Sequence, residues 1–128
     1  MYPTVHSWID FFDGILDDMK PAFRLSGMNN IEKEFISNDK TLIFIVTDDK
    51  NSDETPIEHK ITIHVDEIGK ITRNNVKSDG TIEIEEYSFD LSAKKSYVGK
   101  IFKSIIVSFR QSFLDSQVER LKLAKKHA

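Results

Sequence analysis

The sequence predicts an α+β domain in which an N-terminal helix and a long C-terminal helix bracket an antiparallel meander of four or five strands. Three observations carry this reading. Apolar residues recur at helical spacing from about Ser7 to Lys20. From Thr41 to Phe89, β-branched runs alternate with turn residues. Helical spacing then returns from Val98 to Leu121. A chain of 128 residues suits a single domain, and 39% hydrophobic with 30% charged residues is an ordinary globular balance.

In the first helix, Trp8, Phe11, Phe12, Ile15, Leu16 and Met19 share one face, and Asp10, Asp13 and Asp17 occupy the other. Ser7 is placed to cap the first turn, with Asp10 three residues later. Pro21 has no N–H to donate and disfavours helix in the residue before it, so the helix is expected to end at or before Pro21.

A connection with Gly27 and Asn29-Asn30 leads to an expected strand from Ile31 to Ser37 and a turn at Asn38-Asp39-Lys40. Thr41 to Thr47 is apolar on both parities, as in strands covered on both faces, so it is expected to be central. Its second face would be covered by a helix of this chain or by a partner. Ile57, His59, Ile61, Ile63 and Val65 alternate with Glu58, Lys60, Thr62 and His64, the pattern of a half-buried strand. Asp66-Glu67-Ile68-Gly69 and Asp79-Gly80 mark hairpins into strands Lys70–Val76 and Thr81–Phe89. In the last strand Ile82 and Ile84 differ in parity from Tyr87 and Phe89, and a bulge near Glu85-Glu86 would bring both pairs to one face.

The last helix is expected to start near Asp90 or Ser92. Val98, Ile101, Phe102, Ile105, Ile106, Phe109 and Phe113 form a stripe able to dock on the sheet. Val107, Leu114, Val118 and Leu121 lie nearly opposite. Two readings are open: a continuous helix offers a second apolar seam, spaced like a short coiled-coil repeat, or the helix breaks at Asp115 and Ser116-Gln117-Val118-Glu119 caps a separate one. The first is preferred.

Composition removes several chemistries. With no cysteine there is no disulfide, thiolate catalysis or cysteine-bound zinc. The longest purely apolar run, Leu42 to Val46, is far short of a membrane span of ~20 residues. Met1 to Thr4 lack the basic stretch of a secretory signal, and a cytoplasmic location is expected.

No nucleophile elbow or phosphate-cradling loop is present; Gly69-Lys70 and Gly99-Lys100 lack the glycine spacing of a P-loop. Starting from Asp49, the loop Asp48 to Glu54 offers oxygen ligands at calcium-loop spacing. It has Glu54 where the turn needs glycine and Lys60 where a bidentate glutamate belongs, so a solvated loop is expected and no metal. His59 and His64 differ in parity and cannot share a metal. His59 lies in an apolar row, the place of a hydrogen-bonded core histidine. Its alternative role is a general base paired with Glu83, Glu85 or Glu86. No catalytic residue and no cofactor are assigned.

Charge is unevenly divided. Residues 1–93 hold 9 Lys/Arg against 19 Asp/Glu, a net of −10, and residues 94–128 hold 9 against 2, a net of +7. Lys100, Lys103 and Arg110 lie on the flank of the last helix away from its main apolar stripe, and Arg120, Lys122, Lys125 and Lys126 crowd its end, where cations also complement the helix dipole.

The function expected is therefore a non-enzymatic protein-binding factor, such as an inhibitor, immunity protein, chaperone or phage or bacterial accessory protein, that covers a partner's surface. Leu114, Val118 and Leu121 would be its apolar anchors, ringed by Lys103, Arg110 and Lys122. Asp10, Asp13 and Asp17 offer a second surface for a basic partner, or for the basic helix of another copy in a homodimer. The alternative is a nucleic-acid-binding accessory protein that uses the basic helix. In architecture alone, helix–meander–helix resembles cystatin-like domains and the acidic chaperones of bacterial secretion systems; no motif accompanies the likeness, and fold does not imply function.

Overall fold

A computed structural model describes residues 5–28, 30–36, 40–48, 57–76 and 81–126. Helix α1 spans Val5–Leu25, strands β1 to β5 span Ile31–Ile36, Thr41–Asp48, Ile57–Val65, Gly69–Val76 and Ile82–Phe89, and helix α2 spans Lys95–Lys126. The strands form one antiparallel sheet in the order β1-β2-β3-β4-β5, a simple meander. The expected α+β class holds, with five strands. The turns at Asn38-Asp39 and Asp79-Gly80, the loop from Asp49 to Glu54, and Asn29 lie outside the described residues.

Both helices pack on the same face of the sheet. Phe44 of β2 shows this directly, since its ring lies 5.6 Å from Phe23 of α1 and 6.0 Å from Phe109 of α2. Leu42, Phe44, Val46, Ile61, Ile63, Val65 and Ile71 line that face, all buried. Trp8, Ile9, Phe12, Leu16, Val98, Phe102, Ile106 and Phe113 cover them from the helices. Helical and strand periodicity thus meet in a single core.

Helix α1 does not stop at Pro21; it continues to Leu25. A proline inside a helix costs ~3 kcal/mol. The extra turn buries Phe23 completely and lets Met28 fold back beside it, also fully buried. Each such side chain is worth about 1.5–3 kcal/mol, enough to outweigh the proline. The end is a Schellman motif: Met28 N–H donates to the Phe23 carbonyl at 2.9 Å and Gly27 N–H to the Arg24 carbonyl at 3.0 Å. Gly27 adopts the left-handed φ of 85° that this cap requires. Ser7 lies within the helix rather than capping it, and its hydroxyl accepts from Lys95 at 2.5 Å.

Three other expectations are corrected. Strand β2 lies inside the sheet, but no helix of this chain covers its second face: both helices sit over Leu42, Phe44 and Val46, and half-buried Ile43 and Ile45 share the other face with Thr62. No bulge interrupts β5; its register with β4 is unbroken from Gly69↔Phe89 to Val76↔Ile82. Ile82 and Ile84 therefore point to the uncovered face. Helix α2 runs unbroken through Asp115 but starts at Lys95, because Asp90 heads a turn that accepts Ser92 N–H at 2.8 Å and Ser92 Oγ–H at 2.7 Å. Those bonds, the backbone one foremost, hold the Asp90 carboxyl below its ordinary range.

Candidate functional site

Three surfaces carry the chemistry that the sequence singles out or that the fold assembles. The first is the outer face of α2. Its inner stripe ends in the core with Phe113. The opposite side presents Val107, 58% exposed, half-buried Leu114, and Val118, 49% exposed. Steps of seven and four residues place these on one seam along a straight helix. Lys103 is exposed, one turn before Val107. Arg110 is half-buried and turned to an internal task, its Nε–H donating to Ser26 Oγ at 2.5 Å and joining α2 to the end of α1. Leu121 and Lys122 belong to the helical backbone, with side chains outside the described residues.

The second surface is the acidic side of α1. Lys33 of β1 projects from the helix-covered face of the sheet and reaches Asp13 at 2.6 Å and Asp17 at 2.8 Å. Lys20 adds a contact to Asp17 at 3.1 Å. The hydrogen bond from Lys33, then that from Lys20, lowers the Asp17 carboxyl below its ordinary value. Desolvation pulls Lys33 downward, but its bonds to Asp13 and Asp17 outweigh it and leave the ammonium raised. Two of the three aspartates thus work as an internal tether between α1 and β1. Asp10 is exposed on the same helix. The acidic side of α1 and the apolar seam of α2 are separate surfaces.

The third surface was not anticipated. Beside α2, over β4 and β5, lies an open groove of about 190 Å³ lined by Ile71, Arg73, Glu85, Tyr87, Ile101 and Ile105. At its floor Arg73 is 2% exposed. Its Nη1 donates to Ser108 Oγ at 2.6 Å, and its Nη2 to the Ser108 carbonyl at 3.3 Å and to Ser112 Oγ at 2.5 Å. Glu85 lies 3.5 Å from Nη1, and Arg73 Nε finds no acceptor among the described residues. The signal was present in the sequence: Arg73 shares its parity with Ile71, and Ser108 and Ser112 are spaced i, i+4. Only the strand register could join them.

His59 is 1% exposed and lies edge-on to Phe109 and Phe113, with ring centroids 6.2 and 5.3 Å away. Strand β4 separates β3 from β5, so Glu83, Glu85 and Glu86 stand two strands, roughly 10 Å, away from it. His64 lies on the uncovered face, where its Nδ1 is 2.8 Å from Thr41 Oγ1. Among the described residues no three His, Asp or Glu side chains group as metal ligands, and no helix is long and apolar enough to cross a membrane.

Fold and surfaces define an α+β domain of two helices on one face of a five-stranded antiparallel sheet. No protein-family model, no curated protein sequence and no solved structure matches the chain.

Proposed function

We propose that the chain is a non-enzymatic protein-binding factor that covers a partner's surface with the outer face of α2. The observation that carries this reading is the exposed apolar seam of Val107, Leu114 and Val118 on a helix whose opposite stripe already fills the core. A helix needs one apolar stripe to dock on its own sheet, and a second stripe is surplus to folding. Lys103 beside the seam, with Lys122 further along the sequence, suits a partner whose rim is acidic. Inhibitors, immunity proteins, chaperones and accessory factors of bacteria or phages act in this way. The cysteine-free composition fits the cytoplasm, where we place it.

The test is a pull-down from host lysate with wild-type protein and with the Val107→Asp, Val118→Asp variant, each run with and without nuclease. Both sites are exposed, so the variant should stay folded by circular dichroism. A stoichiometric protein that survives nuclease and is lost with the variant is the expected result. Retention of that protein by the folded variant rejects the seam. Recovery of nucleic acid that nuclease abolishes replaces the reading with nucleic-acid binding along the basic helix.

A further inference from the structure

We infer that the free edge of β5 accepts an extended basic segment of another protein as a sixth strand, whose side chains on the helix side enter the groove beside α2. The two edges of the sheet differ. At β1, Lys33 reaches up to Asp13 and Asp17, so α1 is fastened over that edge. At β5, α2 stands back over β4, and the groove lined by Ile71, Tyr87, Ile101 and Ile105 lies directly inside the edge. Among the described residues no strand pairs with the outer side of β5. An unpaired edge offers a row of N–H and C=O groups to an incoming strand, and natural edges are usually blunted by proline, lysine or a bulge. Strand β5 has no proline, lysine or bulge over its eight residues; the charges that guard it are three glutamates, which repel an acidic strand and not a basic one.

Side chains on both faces of the edge suit an added strand. Ile82 and Ile84, 57% and 68% exposed, stand on the uncovered face, and the groove lies on the other. A strand laid alongside would send alternate side chains into the groove and the rest over the isoleucines, the arrangement in which backbone bonds give affinity and pockets give selectivity.

Charge selects the occupant. The strand carries Glu83, Glu85 and Glu86 and no cation. Lys70 and Arg73 of β4 approach Glu86 and Glu85 from the inner side, at 3.4 and 3.5 Å, and both carboxylates remain more than half exposed. A second copy is a poor match. Every antiparallel self-pairing that engages seven or eight residues of β5 sets Glu85 or Glu86 opposite a glutamate. With its apolar side chains in the groove, a segment that alternates them with Lys or Arg pairs its backbone with the edge and sets its cations on the uncovered face, opposite Glu86. The edge and the α2 seam are different surfaces, so this inference stands or falls independently of the seam.

The probes are capped synthetic peptides of about β5's length, one alternating isoleucine with lysine and one alternating isoleucine with glutamate. Added to the isotopically labelled protein, the basic peptide should slow hydrogen exchange at outward-facing β5 amides. Glu86→Gln should weaken its binding about threefold. Ile105→Arg, which fills the groove without altering the edge, should abolish it. Equal binding of both peptides, or unchanged binding when alternate peptide nitrogens are methylated, overturns the inference. Concentration-dependent protection of β5 without peptide does so too, by assigning the edge to a second copy.

Discussion

Arg73 provides the sharpest test of the packing, because removing the cation and removing its acceptors should have unequal costs. The guanidinium is 97% or more buried by side chain, and its hydrogen bonds go to Ser108 and Ser112 of α2. Replacing both serines with alanine leaves a buried charge with one weak carbonyl contact and Glu85 at 3.5 Å. Hydrogen bonds to charged groups are worth roughly 1.5–3 kcal/mol each. Ser108 is exposed, so water restores part of the loss, and the double variant should cost about 3 kcal/mol. Arg73→Met removes the same bonds but also the charge, and keeps the aliphatic stem. The groups it leaves behind are cheap: the serines can turn to their own helix carbonyls, and Glu85 is 59% exposed. That variant should cost about 1 kcal/mol. The triple variant should then match Arg73→Met and be more stable than the double. Urea unfolding followed by circular dichroism measures all four proteins. If the double variant is the milder lesion, or the triple equals the sum of its parts, the buried-charge account is wrong.

Other outcomes follow from features already described. The tether of Lys33 should fail at both ends of the pH scale. Asp17 is lowered, so its stabilisation is present above its ordinary value of 3.8 and is lost as pH falls through the depressed value. Lys33 is raised, so its contribution is present below 10.5 and is lost as pH rises beyond that. Lys33→Met should cost about 0.5–1 kcal/mol at neutral pH and shrink both losses in pH-dependent melts. A Cβ on Gly69 would lie 2.0 Å from the Phe89 ring, which packs on Trp8 and Phe12, so Gly69→Ala should cost about 1–3 kcal/mol; an unchanged melting temperature would show that the ring moves freely. Pro21→Ala restores an amide within a helix held at both ends by the core, and should raise stability by at least about 1 kcal/mol in the same urea assay.

Most of the architecture is legible in the sequence because period and burial agree. The run from Ile57 to Val65 alternates in the structure as it does in the chain, and the stripe from Val98 to Phe113 is the docked side of α2. The misreadings arise where a local rule meets a tertiary one. Pro21 signals a helix end, but the burial of Phe23 and Met28 and the left-handed Gly27 move that end past it. Ile82 and Ile84 prompt a bulge if every isoleucine must face inward; the strand keeps its register and leaves them outside. The apolar parity of Ile43 and Ile45 reads as a second covered face, and the sheet leaves it uncovered by either helix. The seam on α2 could be named from spacing alone, but the groove could not. It depends on how far α2 stands back from β5, a distance that no run of residues encodes.

The closing contacts of the fold join sequence-distant parts. Trp8 Nε1–H donates to the Leu91 carbonyl at 3.3 Å, Lys95 lies over the Trp8 ring and bonds to Ser7, and a Cβ on Gly99 would meet Phe11 at 2.9 Å. The strands pair with their neighbours in sequence and can form early, whereas these contacts wait for the last helix. During synthesis on the ribosome the meander therefore emerges with part of its apolar face bare, until α2 clears the exit tunnel. A translational pause within α2 would prolong that exposure, and a nascent chain halted there would be a natural client for holdase chaperones.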